Sequence, residues 1–463
     1  MFDQKTTAPM LRGEDGAVRP DFVARVVEAI ASSDVATLRE LTGDLHEADL
    51  GALIESLQPE QRPRLVELLG LDFDFTALTE VDDAVREEIL EELPPRTVAE
   101  GVRDLESDDA VAILAGLPQD EQAEILRELP PPERVALARS LNYPEGSAGR
   151  RMQDEFIAVP PVWTTGQAID YMRETADLPE RFYELYVVDE FGRFLGAVPL
   201  DRLLRSKRPI PIAELMEPER RRVRADEEQE DVARLFQRYD LVAAPVVDAS
   251  DRLVGVITFD DIADVIQEEA EEDIKALGGV GRYEELSDTV WRISRGRFTW
   301  LFVNLLTELL AAWVISWFAG SLQKMVALAI LMPIVSDMGG NAGTQSMTVA
   351  VRALATNQLS RANALRIVGR ELMVGIVNGL GFAVIMGVIA ATWFSLTDLG
   401  VVMGLAILIV LTVAALGGIF IPLILERFGV DPAVSSGPFV TTLTDVVGFF
   451  TFLGIATLWF GLG

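Results

Sequence analysis

Five long apolar stretches in the second half of the chain constrain its fold more than any other feature. They lie at roughly 298–319, 325–354, 364–394, 400–425 and 438–460, and each holds about twenty residues or more. Because a helix rises about 1.5 Å per residue, about twenty apolar residues cross the hydrocarbon core of a bilayer as one helix. Buried helices of soluble proteins rarely give five such stretches in succession. The sequence therefore predicts a multi-pass membrane protein with a five-helix domain over residues 298–463.

The basic residues between these stretches predict the orientation of the chain. The first loop holds only Lys324 and the third loop holds none, whereas basic residues precede the first stretch and cluster around the second loop. Positively charged loops stay on the cytoplasmic side. We therefore expect a cytoplasmic N-terminus and an outside C-terminus in the plasma (inner) membrane. The residues behind this argument are Arg292, Arg295, Arg297, Arg352, Arg361, Arg366, Arg370 and Arg427.

The net charge of −32 is distributed unevenly along the chain. From Thr299 onward there are six basic and seven acidic side chains, so the first 298 residues carry nearly all of the negative charge. Such an acidic half is repelled by nucleic-acid phosphates and favours cations as partners. Solubility alone is the other explanation for this acidity. The chain has no cysteine and one histidine, His46, which argues against thiol chemistry, zinc binding and histidine-based catalysis.

A twelve-residue repeat marks the acidic first half. Leucines recur from Leu93 to Leu141, and a proline follows three of them. Since proline cannot continue a helix, each repeat predicts a short amphipathic helix. Short helices cannot bury their apolar faces alone, so we expect them to stack into a right-angled or superhelical array. The sequence thus predicts a disordered segment at 1–20 and a helical-repeat domain at 21–145. The repeat comprises Leu93, Leu105, Leu117, Leu129 and Leu141, with Pro94, Pro118 and Pro130.

Residues 146–268 contain a second kind of repeat, with a constant offset of 59 residues. The segments FYELYVVDEFGRFLGAVPLDRLL and LVAAPVVDASDRLVGVITFDDIADVI share V-V-D, Arg, Gly and Asp positions. Each predicts a strand, a polar turn, a second strand and a helix. The two copies resemble a tandem pair of CBS (cystathionine β-synthase-type) domains. CBS pairs are regulatory modules that usually sense small ligands such as adenine nucleotides or ions.

An acidic segment joins the repeat to the first apolar stretch. The run from Asp260 onward predicts a long acidic helix, interrupted at Gly278 and Gly279 and followed by basic residues near the membrane. We predict a connecting helix over residues 269–297.

Carboxylates within the apolar stretches need a physical reason, because an ionised group inside the membrane is costly and usually faces a water-filled path. Asp445 lies among threonines, including Thr441, and its predicted helix has no basic residue to neutralise it. This pattern favours a cation site on a pore axis. A protonated or hydrogen-bonded Asp445 that stabilises helix packing is the alternative. We interpret Glu308, in the first stretch, as a packing or interface residue.

The second stretch contains DMGGNAGTQS, residues 337–346, in which glycines alternate with amide and hydroxyl side chains. Glycines permit close approach of helices, and the polar groups and carbonyls offer oxygen to a cation. Oxygen ligands suit a hard cation, and Mg²⁺ needs few protein ligands because it keeps several of its waters. A symmetric dimer would place two copies of Asp445 across one axis.

The order of parts resembles the MgtE family of magnesium channels over nearly the whole chain beyond residue 20. The most specific matches are GGNAGTQSMTVAVRALAT at 339–356 and DPAVSSGPFVTTLTDVVG at 431–448. The resemblance implies a homodimer in which Asp445 is the selectivity residue. It also implies pore-lining roles for the Gly-Asn-rich segment and for the last helix beside Asp445. The residues concerned are Gly340, Asn341, Thr344, Gln345 and Thr441.

The same resemblance implies a cytosolic magnesium sensor made of carboxylates between the N-domain, the CBS pair and the connecting helix. The carried-over residues in the acidic helix are Asp261, Asp264, Glu269, Glu272 and Asp273. In the second CBS copy they are Glu228, Glu230 and Asp240, and in the N-domain they are Asp104 and Asp108.

These observations predict a Mg²⁺-selective channel for magnesium uptake, closed when cytosolic Mg²⁺ binds the acidic interfaces. Other divalent cations as permeant ions and ATP at the CBS pair are further ligands that the resemblance allows. Two alternatives remain: an alternating-access divalent cation carrier, and a membrane-anchored CBS regulator that senses nucleotides. The five-helix layout lacks the inverted repeat typical of carriers, and an anchor does not need Asp445. The sequence has no nucleophile and base pair and no phosphate-cradling loop, so we do not expect an enzyme.

Overall fold

The structure is a computed structural model that describes residues 11–13, 16–176, 178, 179, 181–218, 220–281, 284, 289–356, 359 and 363–462, without the side chains at 434 and 435. The chain divides into two compact units, Met1–Glu269 and Ala270–Gly463. Most of segment 1–20 lies outside the described residues. The described part includes Leu11, which is buried in the N-terminal core, and Arg12, which pairs with Asp49 at 2.7 Å.

The first unit begins with a helical array. Short helices stack on one another, as the twelve-residue repeat predicts, and the contacts join every second helix, α6 with α8 and α7 with α9. Pro94, Pro118 and Pro130 are the N-cap residues of α6, α8 and α9, because a proline's fixed φ suits the entry to a helix. The helices are α1 Pro20–Ser32, α2 Val35–Thr42, α3 Glu47–Glu55, α4 Arg62–Leu69, α5 Asp83–Glu92, α6 Pro95–Val102, α7 Ser107–Ala115, α8 Gln119–Glu128 and α9 Pro131–Leu141, with 3₁₀ turns at Pro59–Gln61, Gly70–Asp72 and Phe75–Leu78.

The repeated leucines hold this array together. Leu93, Leu117 and Leu129 are each at most 5% exposed and lie in one continuous apolar core. Full burial of one leucine side chain contributes about 2 kcal/mol. The repeat thus sets both the helix boundaries and the packing.

Two small three-stranded sheets follow, one for each copy of the 59-residue repeat. In both, the first strand pairs in parallel with the second, and the second pairs antiparallel with the third. The elements are α10 Ala148–Arg151, β1 Ala158–Val159, α11 Thr165–Glu174, β2 Glu184–Val188, β3 Phe194–Pro199, α12 Leu200–Arg205, α13 Ile212–Leu215, β4 Val223–Arg224, α14 Gln229–Tyr239, β5 Ala243–Val247 and β6 Leu253–Thr258.

The turns of the two copies contact each other at equivalent positions. The amide of Phe194 donates to the carbonyl of Asp251 at 2.9 Å, and the amide of Leu253 donates to the carbonyl of Gly192 at 3.0 Å. Exchanging the two copies of the repeat converts each of these bonds into the other. The two sheets are therefore related by an approximate two-fold axis. This arrangement is the tandem CBS pair that the sequence predicts.

The acidic helix α15 spans Phe259–Leu277, and Gly279 follows it with a positive φ of 70°. The predicted connecting segment 269–297 therefore takes in the end of α15 and the start of the next helix. Within the second unit, Ala276 and Leu277 at the end of α15 belong to an apolar cluster with Met347, Val351 and Val440.

Five helices among the described residues of the second unit are long and apolar enough to cross a membrane, as predicted. Helix α20 contains the most apolar and most buried stretch of the five, and it packs against α18, α19 and α21. Helix α16 packs mainly on α21. The helices are α16 Val290–Ser316, the short α17 Ala319–Lys324, α18 Val326–Ala355, α19 Ala364–Trp393, α20 Thr397–Arg427 and α21 Pro432–Phe460.

Candidate functional site

Asp445 is buried inside the membrane-spanning unit. It lies in the middle of α21 and is 6% exposed. The hydroxyl of Ser336 on α18 donates a hydrogen bond to its Oδ1. The carboxyl group of Glu308 on α16 lies within hydrogen-bonding reach of it. Asp445 is therefore held between two other spanning helices rather than pointing into lipid.

The predicted pore-lining residues of α18 lie on one side of that helix. Asn341, Thr344 and Gln345 are exposed, together with Asp337, and Gly340 is partly exposed. Their positions differ by three, four, seven and eight residues, which places them on one face. A row of amide, hydroxyl and carboxyl groups is thus uncovered in a helix that spans a membrane.

The last helix adds to this polar surface. Thr441 lies one turn before Asp445, is exposed, and donates its hydroxyl to the carbonyl of Gly437 at 3.0 Å. A hydroxyl that bonds its own backbone leaves its lone pairs free to accept further contacts.

Two glycines of the same segment have a packing role. A Cβ atom at Gly343 would lie 2.7 Å from Val440, and one at Gly339 would lie 2.6 Å from Val410. These glycines let α18 approach α20 and α21 closely. The segment therefore divides into a packing face and a polar face, as the alternating pattern indicates.

The first unit contains a pair of partly buried carboxylates. Asp108 at the start of α7 lies within hydrogen-bonding reach of Asp261 at the start of α15, and Oδ1 of Asp108 is buried with no hydrogen-bond partner among the described residues. Burial raises the pKa of both carboxyls, and repulsion by Asp261 adds to the rise at Asp108. The hydroxyl of Thr258 donates to Asp261 at 2.7 Å, which fixes its orientation.

Further carboxylates surround this pair. Burial raises the pKa of Asp109 to about 7, and repulsion by Glu106 adds to the rise. The hydroxyl of Ser107 donates to Glu155 at 2.7 Å, which links the N-domain to the segment before the first sheet. Burial and the charge of Asp264 raise the pKa of Glu80. Negative charge is therefore concentrated where the N-domain meets the CBS pair and α15.

One basic residue is embedded at the edge of this acidic region. Arg151 forms an ion pair with Glu268 and donates from Nε to Gln229 at 3.1 Å, while Gln229 donates to Glu269 at 2.7 Å. Burial raises the pKa of Asp264 and Glu268, and Arg151 partly opposes the rise in both. Glu269 is thus tied into a hydrogen-bonded chain rather than free in solution.

The structure does not bring all the proposed sensor residues together. Asp104, Glu228 and Asp240 are exposed, and Glu230 pairs with Arg234 at 2.8 Å. Glu272 and Asp273 lie on the part of α15 that belongs to the second unit. Among the described residues, no group of three or more His, Cys, Asp or Glu side chains is placed to hold a metal ion. Of the predicted sensor carboxylates, Asp108 and Asp261 are brought into contact, and the described part of one chain holds no complete coordination shell.

Comparison with known families divides the chain in the same order. The MgtE intracellular N domain matches residues 45–146, CBS domains match 148–208 and 212–268, and the MgtE divalent cation transporter domain matches 332–455. The magnesium transporter MgtE of Thermus thermophilus is 35% identical over 452 residues, covering 93% of this chain and 97% of that protein. This chain belongs to the MgtE family.

Other members of the MgtE family match over similar lengths. The magnesium transporter MgtE of Enterococcus faecalis is 31% identical and covers 96% of this chain and 98% of that protein. Among solved structures, the cytosolic domain of the Mg²⁺ channel MgtE in complex with ATP is 33% identical. It covers 52% of this chain and 99% of that one, with a TM-score of 0.49. With its five candidate spanning helices and its MgtE relatives, the chain is a multi-pass membrane protein of a family of magnesium transporters.

Sequence reasoning about this MgtE-family chain gave several acidic residues no part in either site. The sequence predicts a packing or interface role for Glu308, and the structure places its carboxyl group beside that of Asp445. Asp109, adjacent to Asp108, gives no functional signal in the sequence, because consecutive carboxylates at a helix start are usually explained by the helix dipole. Glu371 on α19 is 8% exposed and accepts from Ser346 at 3.2 Å. The signal that could have identified Glu371 is the one that identified Asp445, namely a carboxylate inside an apolar stretch.

Proposed function

We propose that this MgtE-family chain is a Mg²⁺-selective channel for magnesium uptake across the plasma membrane and that cytosolic Mg²⁺ closes it. The observation that carries the proposal is the uncovered polar face of α18 beside Asp445. A spanning helix that exposes amide, hydroxyl and carboxyl groups needs water or protein against them, because lipid cannot satisfy them. A water-filled ion path provides that environment.

The polar face also supports a homodimer. A second copy related by a two-fold axis would cover the face with its own and place two Asp445 residues around one path. We propose that Asp445, Gly340, Asn341, Thr344, Gln345 and Thr441 line this path. Mg²⁺ would pass largely hydrated, since it sheds water reluctantly and few carboxylates then suffice. Other divalent cations are candidates for the same path.

The acidic first unit supports the feedback part of the proposal. Asp108 and Asp261 lie close together and partly buried, and carboxylates so placed repel each other when ionised. Mg²⁺ bound between the two carboxylates would replace that repulsion by attraction. Ligands from a second protomer would complete the coordination shell of the ion. We propose as sensor ligands Asp104, Asp108, Glu228, Glu230, Asp240, Asp261, Asp264, Glu269, Glu272 and Asp273.

The connecting helix offers a route from sensor to pore. Its first turns carry Asp261 and Asp264, and its last residues, Ala276 and Leu277, pack with residues of α18 and α21. A change in the position of α15 would therefore act on both helices proposed to line the pore. Such a two-state shift is limited by the preference of Mg²⁺ for the closed form. ATP at the CBS pair remains a further proposed ligand, and the cytoplasmic N-terminus remains a proposal from the loop charges.

Magnesium influx into proteoliposomes tests the proposal directly. Wild-type protein and Asp445→Ala are compared at low and at high internal Mg²⁺, with Leu380→Ala as a matched control on the apolar face of α19. We expect Asp445→Ala to abolish the influx and Leu380→Ala to leave it unchanged. Influx through the wild-type protein should fall when internal Mg²⁺ is raised. Wild-type protein that moves no Mg²⁺ under either condition would refute the channel. Slow, saturating flux without single-channel currents would favour a carrier instead.

A further inference from the structure

Glu308 is an isolated charge in an apolar helix. Between Phe298 and Ser316 it is the sole charged residue, and its side chain is exposed on the single protomer. A carboxyl group at this depth is costly, so ionisable residues within spanning segments usually face a partner or a water-filled path. A residue that served only in lipid-facing packing would not need a carboxyl group.

Asp445 is the partner that the position of Glu308 provides for its carboxyl group. Helix α16 packs on α21, and this contact brings Glu308 within hydrogen-bonding reach of Asp445. Ser336 on α18 holds Oδ1 of Asp445 from another helix. Three of the spanning helices thus converge on one carboxylate, and two of them bring an oxygen group to it.

Neither α21 nor the apolar part of α16 supplies a positive charge to this pair, since no Lys or Arg occurs in 298–316 or 432–460. Two carboxyl groups in contact repel each other unless a cation or a proton lies between them. A divalent cation that passes along the proposed pore would neutralise this pair of carboxylates. Carboxylate oxygens from two residues are common ligands of such ions.

We propose that Glu308 is a second carboxylate of the ion site at Asp445 and determines how strongly the pore holds divalent cations. The inference rests on the proposed channel. A second carboxylate strengthens direct coordination, which favours ions that lose water more readily than Mg²⁺ does. Ca²⁺ should therefore block Mg²⁺ influx through this pore, and the block should depend on Glu308.

The test compares Glu308→Gln and Glu308→Ala with the wild type and with Asn304→Ala, an exposed position one turn earlier on α16. We expect the half-saturating Mg²⁺ concentration and the half-blocking Ca²⁺ concentration to rise roughly tenfold when the charge is lost. Glu308→Asp keeps the charge and should stay within about threefold of the wild type, and Asn304→Ala should not change either value. A Glu308→Gln channel with wild-type Mg²⁺ and Ca²⁺ constants would overturn the inference, and would favour a shared proton.

A binding measurement separates this inference from the channel proposal. Mn²⁺ binding to the full chain in nanodiscs is followed by electron paramagnetic resonance for Glu308→Gln, Asp445→Asn and the double variant. If both carboxylates hold one ion, each single variant weakens the same binding step, and the double variant loses no more than Asp445→Asn does. Additive losses, or no loss with Glu308→Gln, would contradict it. If wild-type protein moved no Mg²⁺ but showed this non-additive loss, the channel would fall and the shared site would remain.

Discussion

Burial of the single carboxyl group of Asp109 makes its contribution to the stability of the fold depend on pH. Its pKa is raised from 3.8 to about 7, first by burial and then by Glu106 and Asp261. The folded chain therefore holds a proton that the unfolded chain releases in this interval. By linkage, the contribution of Asp109 to stability is fully present near pH 4 and is lost as the pH rises through about 7.

We expect Asp109→Asn to weaken this pH dependence. In metal-free buffer, the temperature at which the first unit unfolds should fall between about pH 5 and about pH 7 by more in the wild type than in the variant. Scanning calorimetry of the full chain in detergent measures it. Asp104→Asn, at an exposed position in the same domain, is the control and should keep the wild-type slope. Equal slopes for all three proteins would show that Asp109 ionises normally.

The close contact of α18 with α20 depends on the absence of a side chain at Gly418. A Cβ atom at Gly418 would lie 2.6 Å from the carbonyl oxygen of Gly343 and 2.8 Å from the amide nitrogen of Met347. Because these are backbone atoms of a neighbouring helix, a methyl group there forces the helices apart.

Gly418→Ala should therefore destabilise the spanning unit by about 1–3 kcal/mol, the usual cost of overpacking. Gly369→Ala on α19 is the matched control, since nothing lies within 4 Å of its Cβ position. It should be neutral or slightly stabilising, because alanine is the better helix former. Thermal unfolding in detergent, followed by loss of the monodisperse chromatographic peak, compares the two. If Gly418→Ala were as stable as Gly369→Ala, the close contact would not be essential.

The elements that could be predicted from sequence are those whose signal is local. Five apolar stretches gave five spanning helices, the twelve-residue repeat gave the short helices, and the 59-residue offset gave two matching sheets. The polar face of α18 was also predictable, since helical spacing alone groups Asn341 with Gln345. The contact between Glu308 and Asp445 was not, because it joins helices more than a hundred residues apart in sequence. The Asp108–Asp261 pair needed family resemblance for the same reason.

Whether two chains share one pore is a question for the whole molecule. The chain has no cysteine, so single cysteines report without interference. Thr441 is exposed one turn from Asp445, on the surface that we expect two protomers to share.

Oxidation of Thr441→Cys in membranes should therefore give a disulfide-linked dimer on a non-reducing gel. Leu380→Cys, exposed on apolar α19, should stay mostly monomeric. Because a disulfide requires Cα atoms about 4.4–6.8 Å apart, a bismaleimide reagent of greater reach serves if the path is wider. Equal cross-linking at both positions would indicate random collision, and none at position 441 with either reagent would place the dimer axis elsewhere.

The reciprocal bonds between Gly192, Phe194, Asp251 and Leu253 also have an evolutionary meaning. Two turns that hold each other at equivalent positions are best explained as descendants of one duplicated segment. Neither turn can then gain or lose a residue alone, since the partner would lose both of its bonds. Among descendants of this gene, we expect insertions in the two turns to occur together or not at all, while the flanking loops vary in length independently.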